Sequence, residues 1–304
     1  MSRPVPTDPL AGRVPLVNAP MGGAAGGALA GAVSAAGGLG MIGMGSSGTR
    51  AALSRELDRV PEGVRVGIGV VDWVVRREPA LLDLALESGP LLLSVSFGTE
   101  LDWIARAHAA GIPTAVQVAD TAEAEAAHRA GADLLVARGQ EGGGHGRPLH
   151  NRDTLLANVL RVTDRPVLAA GAIATATDVS HVLSLGAAGV WVGTAFTACR
   201  EALTTPGERA ALLAADGENT LLTSIFDQAA GYPWPPDLPE RVLANDFTRR
   251  WSTGLTDLPT ATAELHRALT ADDPRNRPVN AGLGVGNLTE ETSAAEVVRR
   301  LAPR

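Results

Sequence analysis

Short apolar runs return eight times along this 304-residue chain, and each is followed by an alanine-rich stretch of helical composition. The runs occupy residues 15–19, 39–42, 64–71, 91–95, 113–118, 133–137, 166–170 and 189–192. Apolar runs this short read as strands buried on both faces. Their alternation with helices calls for parallel strands joined by helical crossovers. The helical stretches fall at 28–36, 49–60, up to about 88, 100–110, 121–130, 151–163, 175–185 and 195–202. Gly131 and Gly186 stand where a helix hands over to a strand, a place that favours the left-handed conformation. Eight unbroken units predict an α/β fold, a (β/α)8 TIM barrel, in preference to an open doubly wound sheet. The open sheet lacks its sequence mark here, since no early Gly-x-Gly-x-x-Gly precedes an acidic residue about 20 positions on.

The texture changes after residue 202. Prolines such as Pro206, Pro233, Pro235, Pro236, Pro239 and Pro259 accompany the apolar anchors Leu212, Leu221, Phe247 and Leu255. We read 204–278 as a small helical insert after the eighth strand, a lid or substrate subdomain. Residues 1–203 and 279–304 then form the barrel, with a return loop at 281–286 and a closing helix at 290–301. Trp251 and the apolar helices would support a homodimer.

Composition excludes several functions. Net charge is −7 with no basic run, and aromatics are 3%, which argues against nucleic acid as a partner. No stretch approaches roughly 18 uninterrupted apolar residues, so no membrane association is expected. Residues 1–9 carry too many prolines for a signal peptide, and a cytoplasmic location is the expectation. The chain contains no lysine, which removes Schiff-base and P-loop lysine chemistry. Cys199 is the single cysteine and reads as a small buried residue.

The strongest local signal follows the sixth run. Residues 138–146 read Arg-Gly-Gln-Glu-Gly-Gly-Gly-His-Gly, which places His145 on a loop that a flat ligand can approach closely. A histidine there can move a proton near neutral pH. In a barrel the site lies at the C-terminal ends of the strands. Those ends supply Pro20, Met21 and Gly22, then Gln117, Arg138, Gly143 and Gly144, then Gly171 and Ala172, then Gly193 and Thr194. Two glycine-containing loops at strands seven and eight, each leading into a predicted helix, suit a phosphate of a substrate or a cofactor. Glu141 reads as an acceptor for N–H groups of its own glycine loop. His145 and His150 lack a carboxylate–histidine pattern with metal-ligand spacing, so no metal is expected.

These residues resemble those of the nitronate monooxygenase family, once called 2-nitropropane dioxygenases. Gly139-x-Glu141-x-Gly143-Gly144-His145 is similar to its Gly-x-Glu-Ala-Gly-Gly-His motif. Ala19-Pro20-Met21-Gly22, Ala170-Gly171-Ala172-Ile173, Gly186–Phe196, Arg241–Asn245 and Gly282–Gly286 follow in family order. The resemblance implies a barrel that binds FMN non-covalently. Gly171, Ala172, Gly193 and Thr194 would hold the phosphate, and Pro20, Met21, Gly22, Gln117, Gly143 and Gly144 would line the flavin. His145 would be the catalytic base or would orient the substrate. The implied reaction oxidises a nitronate or nitroalkane with O2 to a carbonyl compound and nitrite. Arg138 stands where the family has glutamine, and would bind an anionic substrate. Ala172 replaces a glycine, and Leu283 a common glutamine. Two other functions remain open: an FMN- and NAD(P)H-dependent enoyl-thioester reductase, which shares the Glu-x-Gly-Gly-His loop, and a non-catalytic flavin-binding barrel.

Overall fold

The computed structural model describes residues 10–303. The proline-rich start at 1–9, read above as unlike a signal peptide, lies outside them. Eight parallel strands follow one another around a barrel: β1 (Leu16–Asn18), β2 (Met41–Met44), β3 (Gly67–Val71), β4 (Leu93–Ser96), β5 (Thr114–Val118), β6 (Leu134–Arg138), β8 (Val167–Ala170) and β9 (Gly189–Val192). β7 (Gly144–His145) belongs to the glycine loop and lies outside this sheet. All eight strands fall within or overlap the apolar runs of the sequence.

One side chain reinforces the closure of the ring. β1 has three residues and meets the second unit through a parallel bridge, Val17 to Leu39. Asn18, fully buried, extends that contact. Its Oδ1 accepts from the Met41 N–H at 2.8 Å, and its Nδ2 donates to the Met41 carbonyl at 3.0 Å. The amide thus stands in for a peptide group and satisfies backbone polar groups that burial would otherwise penalise.

Alternation along each strand divides the core. Val17, Met41, Ala115, Leu134, Val136, Leu168 and Trp191 fill the barrel interior. Ile42, Ile68, Leu135, Ala137, Ala169 and Val190 face the helix layer. This two-sided burial is why the strands read as continuous apolar runs.

The structure corrects two expectations here. Residues 195–202 do not form the eighth helix: only one 3-10 turn, Thr194–Phe196, follows β9. The C-terminal helix Ala294–Leu301 packs against both Gly27–Ala35 and Ala176–Ser184, and so takes the eighth helix's place. Its Ala294, Val297, Val298 and Leu301 are buried in the outer core. The segment 204–278 is also not purely helical. It carries an antiparallel pair, β10 (Thr220–Thr223) and β11 (Glu240–Leu243), and β7 joins that pair as a third strand. Trp251 is buried with Phe226, Phe247 and Leu265 in the insert's own core, which removes it from any dimer surface. No helix among the described residues is long and apolar enough to cross a membrane.

Candidate active site

A cavity of about 490 Å³ opens at the C-terminal ends of the strands. Every residue anticipated for the site lines it: Pro20, Met21 and Gly22; Gln117; Arg138, Gly143, Gly144 and His145; Gly171 and Ala172; Gly193 and Thr194. Glu141 and His150 do not, and Arg147 lines a separate space of about 320 Å³ beside β5.

The first wall depends on a close backbone approach. A Cβ on Gly43 would lie 2.4 Å from the Met21 nitrogen, so glycine on β2 is what lets the Pro20–Met21 segment sit over the barrel mouth. The opposite wall is the glycine loop, shaped by Arg138. This arginine is 7% exposed and forms no ion pair among the described residues. Its Nη2 donates to the carbonyls of Gly142, Gly143 and Gly144 at 2.8, 3.1 and 3.0 Å. Burial, aided by the charge of Arg241, pushes its guanidinium down to about 10, so it remains a cation at neutral pH. A Cβ on Gly146 would lie 2.1 Å from Arg138 Nη1, so the loop needs a glycine there to wrap the guanidinium. Glu141 behaves differently from expectation: its carboxylate accepts from the Arg152 N–H at the start of helix Arg152–Leu160 rather than from its own loop.

The glycine loop ends in β7, which pairs antiparallel with β11 and places Glu240 opposite His145. His145 Nε2 lies 2.9 Å from Asp227 Oδ2, contributed by helix Ile225–Ala230 of the insert. Trp234 stacks on the imidazole at 3.6 Å with a 7° interplanar angle, and its indole N–H donates to Ser46 Oγ at 2.9 Å. Phe97 meets Trp234 edge-on at 5.1 Å. Phe97 holds a left-handed φ of 71°, a strain that L-residues carry mainly where function requires it. With Asp227 on Nε2, the neutral ring carries its proton there and leaves Nδ1 as the acceptor. His145, Asp227 and Glu240 place ligand atoms within 4.8 Å of one another. The fold therefore builds the carboxylate–histidine cluster that sequence spacing did not show.

Asp227, Glu240, Trp234 and Phe97 were all missed in the sequence. The run Tyr232-Pro233-Trp234-Pro235-Pro236 was a usable signal in a chain with 3% aromatics. Asp227 carried none, since it lies 82 residues from its partner.

The far end of the cavity suits an anion. The N–H groups of Ala172, Ile173 and Thr194 have no partner among the described residues, and all three residues line the cavity. Thr194 Oγ1 accepts from the Gly282 N–H at 3.0 Å and keeps its own hydrogen for a ligand. The expected helix dipole is present behind the seventh loop only, at Ala176–Ser184, because the eighth loop leads to a single 3-10 turn. Ala172 sits at φ 49°, a conformation that costs an L-residue roughly 1 kcal/mol. Ala172→Gly is therefore expected to leave stability unchanged or raise it by up to about 1 kcal/mol, whereas Ala→Gly usually destabilises. The denaturant midpoint measures this, and a clear fall would show that the strain is not real.

The family model for nitronate monooxygenase matches residues 62–304. A nitronate monooxygenase of Pseudomonas aeruginosa is 32% identical over an alignment covering 79% of this chain and 85% of that protein. One from Paraburkholderia phytofirmans is 30% identical, covering 77% and 74%. Among solved structures, nitroalkane oxidase from Streptomyces ansochromogenes superposes with a TM-score of 0.82 at 28% identity, covering 95% of this chain and 94% of that one. FabK from Thermotoga maritima gives 0.82 at 27%, covering 99% and 95%. The match runs across barrel and insert alike, and the chain belongs to the nitronate monooxygenase family of oxidoreductases.

Proposed function

We propose that this enzyme oxidises alkyl nitronates and nitroalkanes to a carbonyl compound and nitrite, with non-covalently bound FMN and O2. The observation that carries the reading is the His145–Asp227 hydrogen bond at the wall of a cavity whose far end offers free N–H groups. A flavin is the cofactor that the family implies, and its electron-transfer chemistry would serve the oxidation. A cavity of about 490 Å³ is within the range of small-ligand sites. Ala172, Ile173 and Thr194 would hold the phosphate, with Gly171 and Gly193 leaving room for it. Pro20, Met21, Gly22, Gln117, Gly143 and Gly144 would line the ring system.

His145 takes or orients the substrate proton at Nδ1, while Asp227 fixes the ring and balances the charge of the imidazolium. Trp234 and Phe97 cover the imidazole and exclude water from it. Arg138 contributes mainly as the scaffold of the loop, and its positive charge at the cavity wall favours an anionic nitronate.

The test is the visible spectrum of the purified protein, followed by turnover of ethyl nitronate with nitrite as the readout. Flavin bands and nitrite release are expected. A colourless protein that takes up no added FMN overturns the proposal. Anaerobic bleaching by NADH or NADPH, with no reaction of nitronate, would instead assign an enoyl-thioester reductase.

A further inference from the structure

Behind His145 the insert buries two carboxyl groups, and the reaction above uses only Asp227. Asp227 is 5% exposed and Glu240 3% exposed. Among the described residues, His145 is the one basic side chain paired with Asp227, and Glu240 forms no ion pair. Around Glu240, β7 presents His145, β10 places the uncharged Thr223 opposite Glu240, helix Ile225–Ala230 presents Asp227, and the return segment presents the Asn280 side chain as a hydrogen-bond partner. The neighbouring arginines are committed elsewhere. Arg138 bonds the loop carbonyls, Arg241 bonds the Gln140 carbonyl, and Arg277 pairs with Glu208 and Asp272. Two carboxylates this close, out of water and beside one imidazole, cannot both ionise without a large cost. Burial, followed by the charge of Asp227, pushes the Glu240 carboxyl well above the ordinary carboxylate range.

Resting on the nitronate monooxygenase reading, we propose that Asp227 and Glu240 are a one-proton carboxyl pair, with Glu240 the neutral member that keeps Asp227 ionised against His145 Nε2. Both are positioning residues: they act on substrate through His145. The step they support is removal of the α-proton of a neutral nitroalkane. The C–H bond breaks, its electron pair stays on the substrate as the nitronate, and the proton goes to His145 Nδ1. Asp227 balances the new charge, and the proton on Glu240 stays in place. A preformed nitronate needs no such step.

The experiment compares neutral nitroethane with preformed ethyl nitronate, in the flavin-loaded enzyme, for wild type, Asp227→Asn, Glu240→Ala and Glu240→Gln. For Asp227→Asn the loss in kcat/KM on nitroethane is expected to be about 10²-fold or more, and far smaller on the nitronate. Glu240→Gln, which can still donate a hydrogen bond, is expected to restore most of what Glu240→Ala loses on nitroethane. Equal losses on both substrates, or failure of glutamine to rescue, overturn the proposal.

A second readout needs no turnover. A carboxyl raised in the folded chain contributes stability below its ordinary value of 4.5, and that contribution is lost as pH rises. Glu240→Gln does not titrate, so its melting temperature minus that of wild type should increase with pH from about 4.5 upward. A difference independent of pH overturns the assignment. So does a wild-type stabilisation by Mg2+ or Zn2+ that Glu240→Gln abolishes, because the trio would then hold a cation instead of a proton. Wild type that turns over neither substrate refutes the family reaction, whereas turnover of the nitronate alone refutes only this inference.

Discussion

Replacing His145 with alanine is expected to lower turnover by about 10²- to 10⁴-fold, the usual contribution of a positioned acid–base group. The flavin spectrum should be retained, because none of the unpaired N–H groups at the anion end belongs to His145. The loss should be larger on neutral nitroalkane than on nitronate, for which no carbon acid has to be ionised. Steady-state nitrite release with saturating FMN measures the effect. Nitrite release no faster than with free FMN, in wild type and variant alike, would favour a non-catalytic flavin-binding barrel. Loss of flavin together with activity would mean that His145 serves binding instead of proton transfer.

Arg138→Leu should have the largest effect on stability. The substitution removes the donor from three carbonyls of the glycine loop, each left unsatisfied at a cost of about 1–3 kcal/mol. A compensating gain opposes this. The arginine is itself expensive to bury, as its depressed value of about 10 reflects, and removing the cation returns about 3 kcal/mol. The carbonyls outweigh that gain, and a net loss of about 2–4 kcal/mol is expected, read as a fall in melting temperature. The same loop carries His145 and the glycines proposed to line the flavin, so FMN affinity should fall as well. Arg138→Lys should recover only part of both, since an ammonium cannot reproduce the planar donor fork. A leucine variant with wild-type stability and FMN affinity would show that the loop holds its shape without the guanidinium, and that Arg138 serves the substrate alone.

The contrast between Arg138 and Asp227 shows how far the sequence could be read. Arg138 lies next to the motif it organises, so its importance was visible even though its part in shaping the loop was not. Asp227 has no local signature at all: a single aspartate in a short helix looks like solvent-exposed charge until packing buries it. Glu240 was one residue outside the segment that resembles the family, and only the β7–β11 pairing brings it to His145. The eighth helix failed for a related reason. Residues 195–202 have the composition of a helix, but Ala198 and Cys199 are wholly buried where a 3-10 turn and the return segment meet the barrel. Cys199 is the small buried residue expected, and burial pushes its thiol up to about 12, far from a nucleophile's range.

By itself the sequence determined the barrel's strand count, the family and the strand-end residues that line the cavity. These follow from local periodicity and from motifs fixed by close backbone approach, both of which are written in consecutive residues. Only the tertiary structure decided what stands behind the histidine. The carboxyl pair, the stacked Trp234 and the hydrogen bond that selects Nδ1 come from residues distant in sequence, joined when the insert folds over the barrel mouth. Burial then gives those ordinary side chains their chemistry, because charge repulsion and desolvation act through space and leave no periodic trace along the chain.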